Sequence, residues 1–424
     1  MTATAPGLAR RMGTADAVLV GLGSMIGAGV FAVFGPAARA AGSGLLLGLA
    51  VAAVIAYCNA TASAQLAAVY PASGGTYVYG RERLGEWWGF AAGWAFVVGK
   101  TASCAAMALT FAAYAVPGPW WVQRLAAVAA VAGLAAVNYR GVTRTVALTR
   151  VLVGCTLAAL AVVVAAIWAH GATLANLGGP AALSSGGVYG TLQAAGLIFF
   201  AFAGYARIAT MGEEVRDPAR TIPRAIPLAL GIAVAVYLAV GVSALAAAGP
   251  GPLAAATAPL AQAAGGTASG LEPVVRAGGA LASLGALLAL IAGVGRTALA
   301  MARNGDLPRA LAAVHPRYRV PHRAEVALAA VVCALVLATD LRTAIGFSST
   351  GVLLYYAIAN ASAFTQPAEQ RRWPRALQVL GGAGCLVLVA GLPATSLVAG
   401  LAVVALGLAG RLAVRRLSGS GRAA

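Results

Sequence analysis

Residues Gly21 to Phe31 read GLGSMIGAGVF, inside an apolar segment that runs from Ala15 to Ala41. Four glycines, Gly21, Gly23, Gly27 and Gly29, fall where a membrane helix should be regular. Glycine costs helix stability, and a cluster of it leaves backbone that can unwind. Lipid offers no partner to free amides and carbonyls, so unwound backbone survives in a bilayer only where protein buries it or a watery cavity meets it. The stretch is therefore either a packing seam, with Gly23 and Gly27 forming a GxxxG that lets helices approach closely, or a binding site.

The composition around it is that of a polytopic membrane protein. Of 424 residues, 61% are hydrophobic and 9% charged, against about 45–50% and about 25% in a soluble domain. The first apolar run is too long for a signal peptide and leads into further spans, so it is expected to be retained. Cys58, Cys104, Cys155, Cys333 and Cys385 all fall in apolar segments and are odd in number. They read as free, helix-buried thiols with no disulfide framework and no metal spacing.

Segments of roughly 20 apolar residues, enough to cross about 30 Å of hydrocarbon, occur about twelve times. They cover residues 15–40, 43–68, 87–115, 118–137, 145–169, 188–212, 224–248, 274–301, 323–339, 343–364, 375–391 and 394–413. A net charge of +18 would suggest nucleic acid in a soluble protein, but here the basic residues sort by loop and report topology, so no nucleic-acid partner is expected. With the N-terminus inside, 21 of the 29 basic residues fall on cytoplasmic segments, and the opposite loops hold only Arg39 and Arg342. The expectation is twelve spans in the cytoplasmic membrane with both termini cytoplasmic, residues 1–14 and 414–424 forming the tails. Two outer loops, Gly171 to Gly187 and Gly249 to Leu271, carry no Lys or Arg. They read equally as lid-like connections or as flexible surface loops.

A second interruption lies in FFAFAGYARIATMGEEV, Phe199 to Val215, with Gly204 in its middle. It falls in the sixth span, five spans after the first. An odd number of spans per unit inverts the second copy, and paired broken helices in corresponding positions of two halves point to a secondary transporter's midplane site. The units are residues 15–169 and 188–364, followed by two helices in 375–413.

At these residues the chain resembles a known family. GLGSMIGAGVF looks like the GxGxxIGxGIF signature of the amino acid, polyamine and organocation (APC) superfamily, bacterial amino acid permeases in particular. Three blocks follow in order: YPASGGTYVYGRERLG at Tyr70 to Gly85, FFAFAGY with EEVRDPARTIPRAI at Phe199 to Ile226, and RTALAMARNGDLP at Arg296 to Pro308. The resemblance implies an all-α fold of ten core helices in two inverted five-helix repeats, helices 1 and 6 broken, plus two C-terminal helices. It implies alternating access around an amino acid whose carboxylate is held by backbone amides of Ile26, Gly27, Ala28 and Gly29. Its ammonium and side chain would lie at Phe200, Ala201, Phe202, Ala203 and Gly204, with Phe202 a candidate gate. The helix resuming at Gly29 agrees with this, since it presents a positive dipole end and unpaired donors to an anion.

Lys100 is the single lysine in a chain of 28 arginines and lies inside the third span. About 20 Å from the helix start at 1.5 Å per residue, it is beyond comfortable snorkelling. An intramembrane charge is a functional hypothesis by default, and lysine, unlike arginine, can lose its proton when buried. Lys100 is thus a candidate proton-coupling group, or a structural donor to backbone carbonyls. Several proton-coupled members of the family carry a lysine in the fifth helix where Thr156 stands here. Lys100 replaces it, or sodium occupies the vacated place, or the protein exchanges substrates without an ion.

Arg207 adds a second cation close to the sixth-span break, either lining the site or pairing with Asp16 or Glu213 at an inner gate. Two cations with no midplane carboxylate should repel arginine, lysine and polyamines, so a neutral or an acidic amino acid is expected. EEVRDPARTIP reads as an inner gate or a solvated charge cluster; Tyr77 and Tyr79 as gate residues or interfacial anchors; the three histidines as surface residues. GKT at Gly99 to Thr101 is no phosphate loop, because Trp94 stands where glycine is required. No catalytic residues, cofactor or metal ligands are expected, and neither paired carboxylates nor a nucleophile with its base argues for an enzyme. A transporter of another small amine or carboxylate and a non-transporting amino acid sensor on the same fold remain alternatives. Oligomeric state does not follow from the residues.

Overall fold

A computed structural model describes residues 12–71, 74–140, 145–211, 214–267 and 270–420. Arg10, Arg11, Arg144 and Arg422, four of the 21 basic residues on cytoplasmic segments, and Glu213, a candidate partner of Arg207, lie outside the described residues. Among the described residues ten helical stretches are long and apolar enough to cross a membrane, and two 17-residue helices stand at the ninth and eleventh positions, His322–Ala338 and Arg375–Gly391. The protein is an all-α, multi-pass membrane protein, and the expected spans appear in their expected order.

The first span is three pieces, Thr14–Met25, Ala28–Ala32 and Phe34–Ala41, and the second is Leu45–Val69. The third, Glu86–Ala115, sits at the centre, packed on the eighth (Glu272–Arg303) and the tenth (Leu341–Phe364). Glycine makes the closest of these approaches possible: a Cβ on Gly99 would stand 3.2 Å from the Cα of Gly351, backbone against backbone. Van der Waals packing of small residues is what holds helices together where no hydrophobic force operates. The fourth span, Trp120–Tyr139, and the twelfth, Ala394–Ser420, lie largely exposed on the outside. Cys155 is exposed there too, on the fifth span, so not every thiol is buried as the apolar segments suggested.

The loop after the seventh span, Pro218–Ala248, is not a free surface connection. It folds into two short helices, Pro250–Ala255 and Pro259–Thr267, and buries Leu260 and Ala261. Tyr114 ties it down, accepting from the Leu260 amide at 3.2 Å and donating to the Phe31 carbonyl at 3.0 Å. At the other, arginine-rich end, Met12 pairs through its main chain with Glu214 (3.1 Å) and Arg216 (2.9 Å), joining the start of the first span to the segment after the sixth.

Candidate functional site at the paired breaks

The first helix stops at Met25. Ile26 closes it with an amide donated to Leu22 at 2.7 Å, and Gly27, at φ −68° and ψ −130°, redirects the chain before Ala28–Ala32 resumes. Amides in the first turn of a helix have no intrahelical acceptor, which leaves Gly27, Ala28 and Gly29 as backbone donors. The glycines also serve packing. A Cβ on Gly27 would come 2.8 Å from Ala286 of the eighth span, and one on Gly29 2.8 Å from Ala201 of the sixth. The packing reading of these glycines thus falls on the same residues that leave backbone amides free of intrahelical acceptors.

The second break is tighter than open backbone. Gly187–Phe202 passes into one 3-10 turn, Ala203–Tyr205, and then Ala206–Ala209. Gly204 is needed there because a Cβ would overlap the Ser24 carbonyl at the end of the first helix. The breaks therefore touch, and Ile26, Gly27, Ala28 and Gly29 lie together with Phe200, Ala201, Phe202, Ala203 and Gly204.

Two tyrosines that sequence reasoning missed hold the breaks in register. The Tyr237 hydroxyl of the seventh span lies 2.6 Å from the Met25 carbonyl and 3.0 Å from that of Ala201, bridging both breaks. Its ring stands 4.9 Å from that of Phe202, the candidate gate, which is fully buried. Tyr356 of the tenth span donates to the Ala203 carbonyl at 3.2 Å. The available signal was an isolated tyrosine in the aliphatic run AVAVYLAVG.

Lys100 reaches the same place. It is 6% exposed, and its Nζ donates to the Ala203 carbonyl at 3.2 Å, within the turn assigned to the substrate's ammonium. No carboxylate pairs with it among the described residues. Thr156 turns its hydroxyl back onto its own helix, to the Leu152 carbonyl at 2.8 Å. Arg207 is half-buried, with Arg296 and Glu214 as the charges around it. The proposed partner Asp16 is instead held by Arg150 at 2.5 Å.

The charged blocks meet elsewhere. Asp306, 5% exposed at its side chain, accepts from Tyr77 (2.7 Å) and Arg81 (3.0 Å) and pairs with Arg411 of the twelfth span (2.8 Å). Arg411 is equally buried and lies over the rings of Trp87 and Phe90. Tyr77 also accepts from Asn304 at 2.8 Å, and burial together with the Asp306 carboxylate raises its phenol above the ordinary value, keeping it a donor. Tyr79 is buried and reaches the Ala209 carbonyl at 3.3 Å. Both tyrosines are internal ties, which sets aside their reading as interfacial anchors.

Comparison with known proteins agrees with this architecture. Residues 12–414 match the amino acid permease family. An uncharacterized transporter of Mycobacterium tuberculosis is 60% identical over 416 residues, 97% of this chain and 92% of that protein. The branched-chain amino acid permease BcaP of Bacillus subtilis is 26% identical, covering 74% of this chain and 72% of its own length. A chloroplastic cationic amino acid transporter of Arabidopsis thaliana is 28% identical over 82% of this chain and 64% of its own. A family match over nearly the whole chain, with a 60% identical transporter covered almost end to end, is decisive: this chain is a membrane transporter belonging to the amino acid permease family.

Proposed function

We propose that the protein moves neutral amino acids across the cytoplasmic membrane by alternating access around the paired breaks, coupled to protons through Lys100, with both termini in the cytoplasm. The observation that carries this is the Lys100 Nζ on the Ala203 carbonyl. A cation there competes with the substrate's ammonium for the same acceptor, so losing a proton from Lys100 and binding the substrate amine favour each other. That is a reciprocal linkage of proton and substrate at one acceptor, and because the two exclude each other its sign is that of exchanging one for the other across the membrane. The carboxylate is held by the amides of Gly27, Ala28 and Gly29, the expected Ile26 amide being spent on the Leu22 carbonyl; such donors need no side chain and so suit any α-amino acid. Tyr237 keeps the two breaks aligned.

The absence, among the described residues, of a carboxylate paired with Lys100 supports a neutral substrate over a cationic one. The branched-chain name of the B. subtilis relative favours the same class, whereas the cationic name of the plant relative does not. Uptake of an amino acid panel into proteoliposomes, under separate proton and sodium gradients, tests both parts. Leucine-class accumulation driven by the proton gradient and lost in Lys100→Met is expected. Saturable uptake of arginine or putrescine in preference to neutral amino acids overturns the substrate class, and undiminished proton-driven accumulation in both Lys100→Ala and Lys100→Met overturns the coupling role.

A further inference from the structure

A cavity of about 510 Å³ opens between the fourth and ninth spans, and none of the break residues lines it. Its shaft is apolar, with Ala132, Ala135 and Ala136 on one wall and Val326 and Ala329 on the other. Those positions recur at helical spacing, so each helix turns one continuous small-residue face into the cleft. Its mouth is polar and aromatic, formed by Tyr139, Arg140 and Tyr318. The mouth is a built structure. The Tyr139 ring packs on His315 (5.3 Å), His322 (5.9 Å) and Tyr318 (6.2 Å). His315 Nδ1 accepts the amides of Arg317 and Tyr318, both at 3.2 Å, fixing the turn that presents Tyr318.

The charge around this mouth has one sign. Arg140 lines it, Arg317 lies 5.5 Å over the Tyr318 ring, and Arg319 and Arg323 flank these residues along the chain, while the sequence holds no acid between Glu86 and Glu213 or between Asp306 and Glu325. The nearest acid along the ninth span, Glu325, is 3% exposed and lies against Gly295 of the eighth span, away from the cleft. No ion pair among the described residues engages Arg140. An apolar shaft open to the hydrocarbon, with interfacial tyrosines and uncompensated arginine at the arginine-rich face, matches one kind of molecule in both halves. Basic pockets between helices on that face hold anionic headgroups, and tyrosine sits at headgroup level.

We propose that this cleft binds one anionic phospholipid, its phosphate at Arg140 with the Tyr139 and Tyr318 hydroxyls beside it, and an acyl chain along the alanine wall. The cleft joins a span of the first five to one of the second five, so an occupant touches both units.

The test is native mass spectrometry of the purified full-length protein in detergent, titrated with phosphatidylglycerol or phosphatidylcholine of matched chains. Wild type is expected to retain a single phosphatidylglycerol about fivefold more tightly than phosphatidylcholine, the increment one basic residue supplies at a membrane surface. Arg140→Gln should remove the preference, and Ala136→Trp, on an exposed wall, should displace the lipid altogether. Arg220→Gln, an exposed arginine outside the cleft, should change nothing. Equal retention of the two lipids by wild type, a loss in Arg220→Gln matching that in Arg140→Gln, or an adduct surviving Ala136→Trp each overturns the proposal.

Discussion

The breaks in the first and sixth spans and the ion cluster at Asp306 both bury cations, and they treat them in opposite ways. At the cluster, Arg411 faces the Asp306 carboxylate at 2.8 Å, with Arg81 on the other oxygen at 3.0 Å. At the breaks, Lys100 has one backbone carbonyl. A buried charge with a hydrogen-bonded counter-charge is a fixed part of a structure, since removing either member strands the other. A buried charge leaning on a neutral carbonyl can be neutralised without stranding anything. If Lys100 has the proposed coupling role, the contrast separates a charge that ties helices together from one that changes during a transport cycle.

The largest effect expected is therefore at the cluster. Asp306→Ala leaves Arg411 buried without its close partner, with only the exposed Glu86 at 3.8 Å, a loss of about 3–5 kcal/mol for breaking such a pair. A thermal melt in detergent should show the midpoint falling well below wild type. Asp306→Ala combined with Arg411→Met should recover most of the fall, because the stranded charge is gone. If the double variant melts as low as the single one, the cluster's contribution is packing and the contrast with Lys100 fails.

Gly204→Ala comes next. The added methyl has no room beside the Ser24 carbonyl, and overpacking costs about 1–3 kcal/mol. The breaks must move apart, so uptake should fall further than the melt suggests. Gly231, which has nothing within 4 Å of its Cβ position, is the control: Gly231→Ala should leave both readings at wild type. Equal uptake in the two variants would mean that close contact between the breaks is not required.

Lys100→Met keeps the volume of a long unbranched chain and removes the charge. Stability within about 1 kcal/mol of wild type is expected for so conservative a core exchange, together with loss of the pH dependence of uptake. A fall as deep as that of Asp306→Ala would make Lys100 a structural tie like Arg411.

What the sequence disclosed follows the same division. Span count and the positions of both breaks were legible because apolar length and glycine clusters are local signals. Lys100 stood out as a lone lysine, and the structure places it on the sixth-span turn. What replaced the helix at Gly204 was not legible: glycine announces lost regularity, but neither the 3-10 turn nor the Ser24 carbonyl packed against Gly204 leaves a mark in the local sequence. Asp306, Arg81 and Arg411 lie on three segments far apart along the chain, so no spacing rule joins them. Asp16 and Glu213 are the acids the sequence offers Arg207 as one alternative, yet Arg150 of the fifth span, far from Asp16 along the chain, captures Asp16. Tyr237 was passed over because a tyrosine in an aliphatic run carries no mark of the two carbonyls its hydroxyl will meet.

The smallest effect expected marks where the cluster ends. Glu86 approaches Arg81 (3.7 Å), Arg411 (3.8 Å) and Arg415, so by proximity it belongs with Asp306. Its side chain is 55% exposed, however, against 5% for Asp306. Water screens exposed pairs, and many contribute nothing measurable. Glu86→Gln should accordingly melt and transport as wild type at physiological salt. Should its midpoint fall with that of Asp306→Ala, then three arginines within 4 Å outweigh exposure, and the line between structural and changeable charge would have to be drawn by the number of partners rather than by burial.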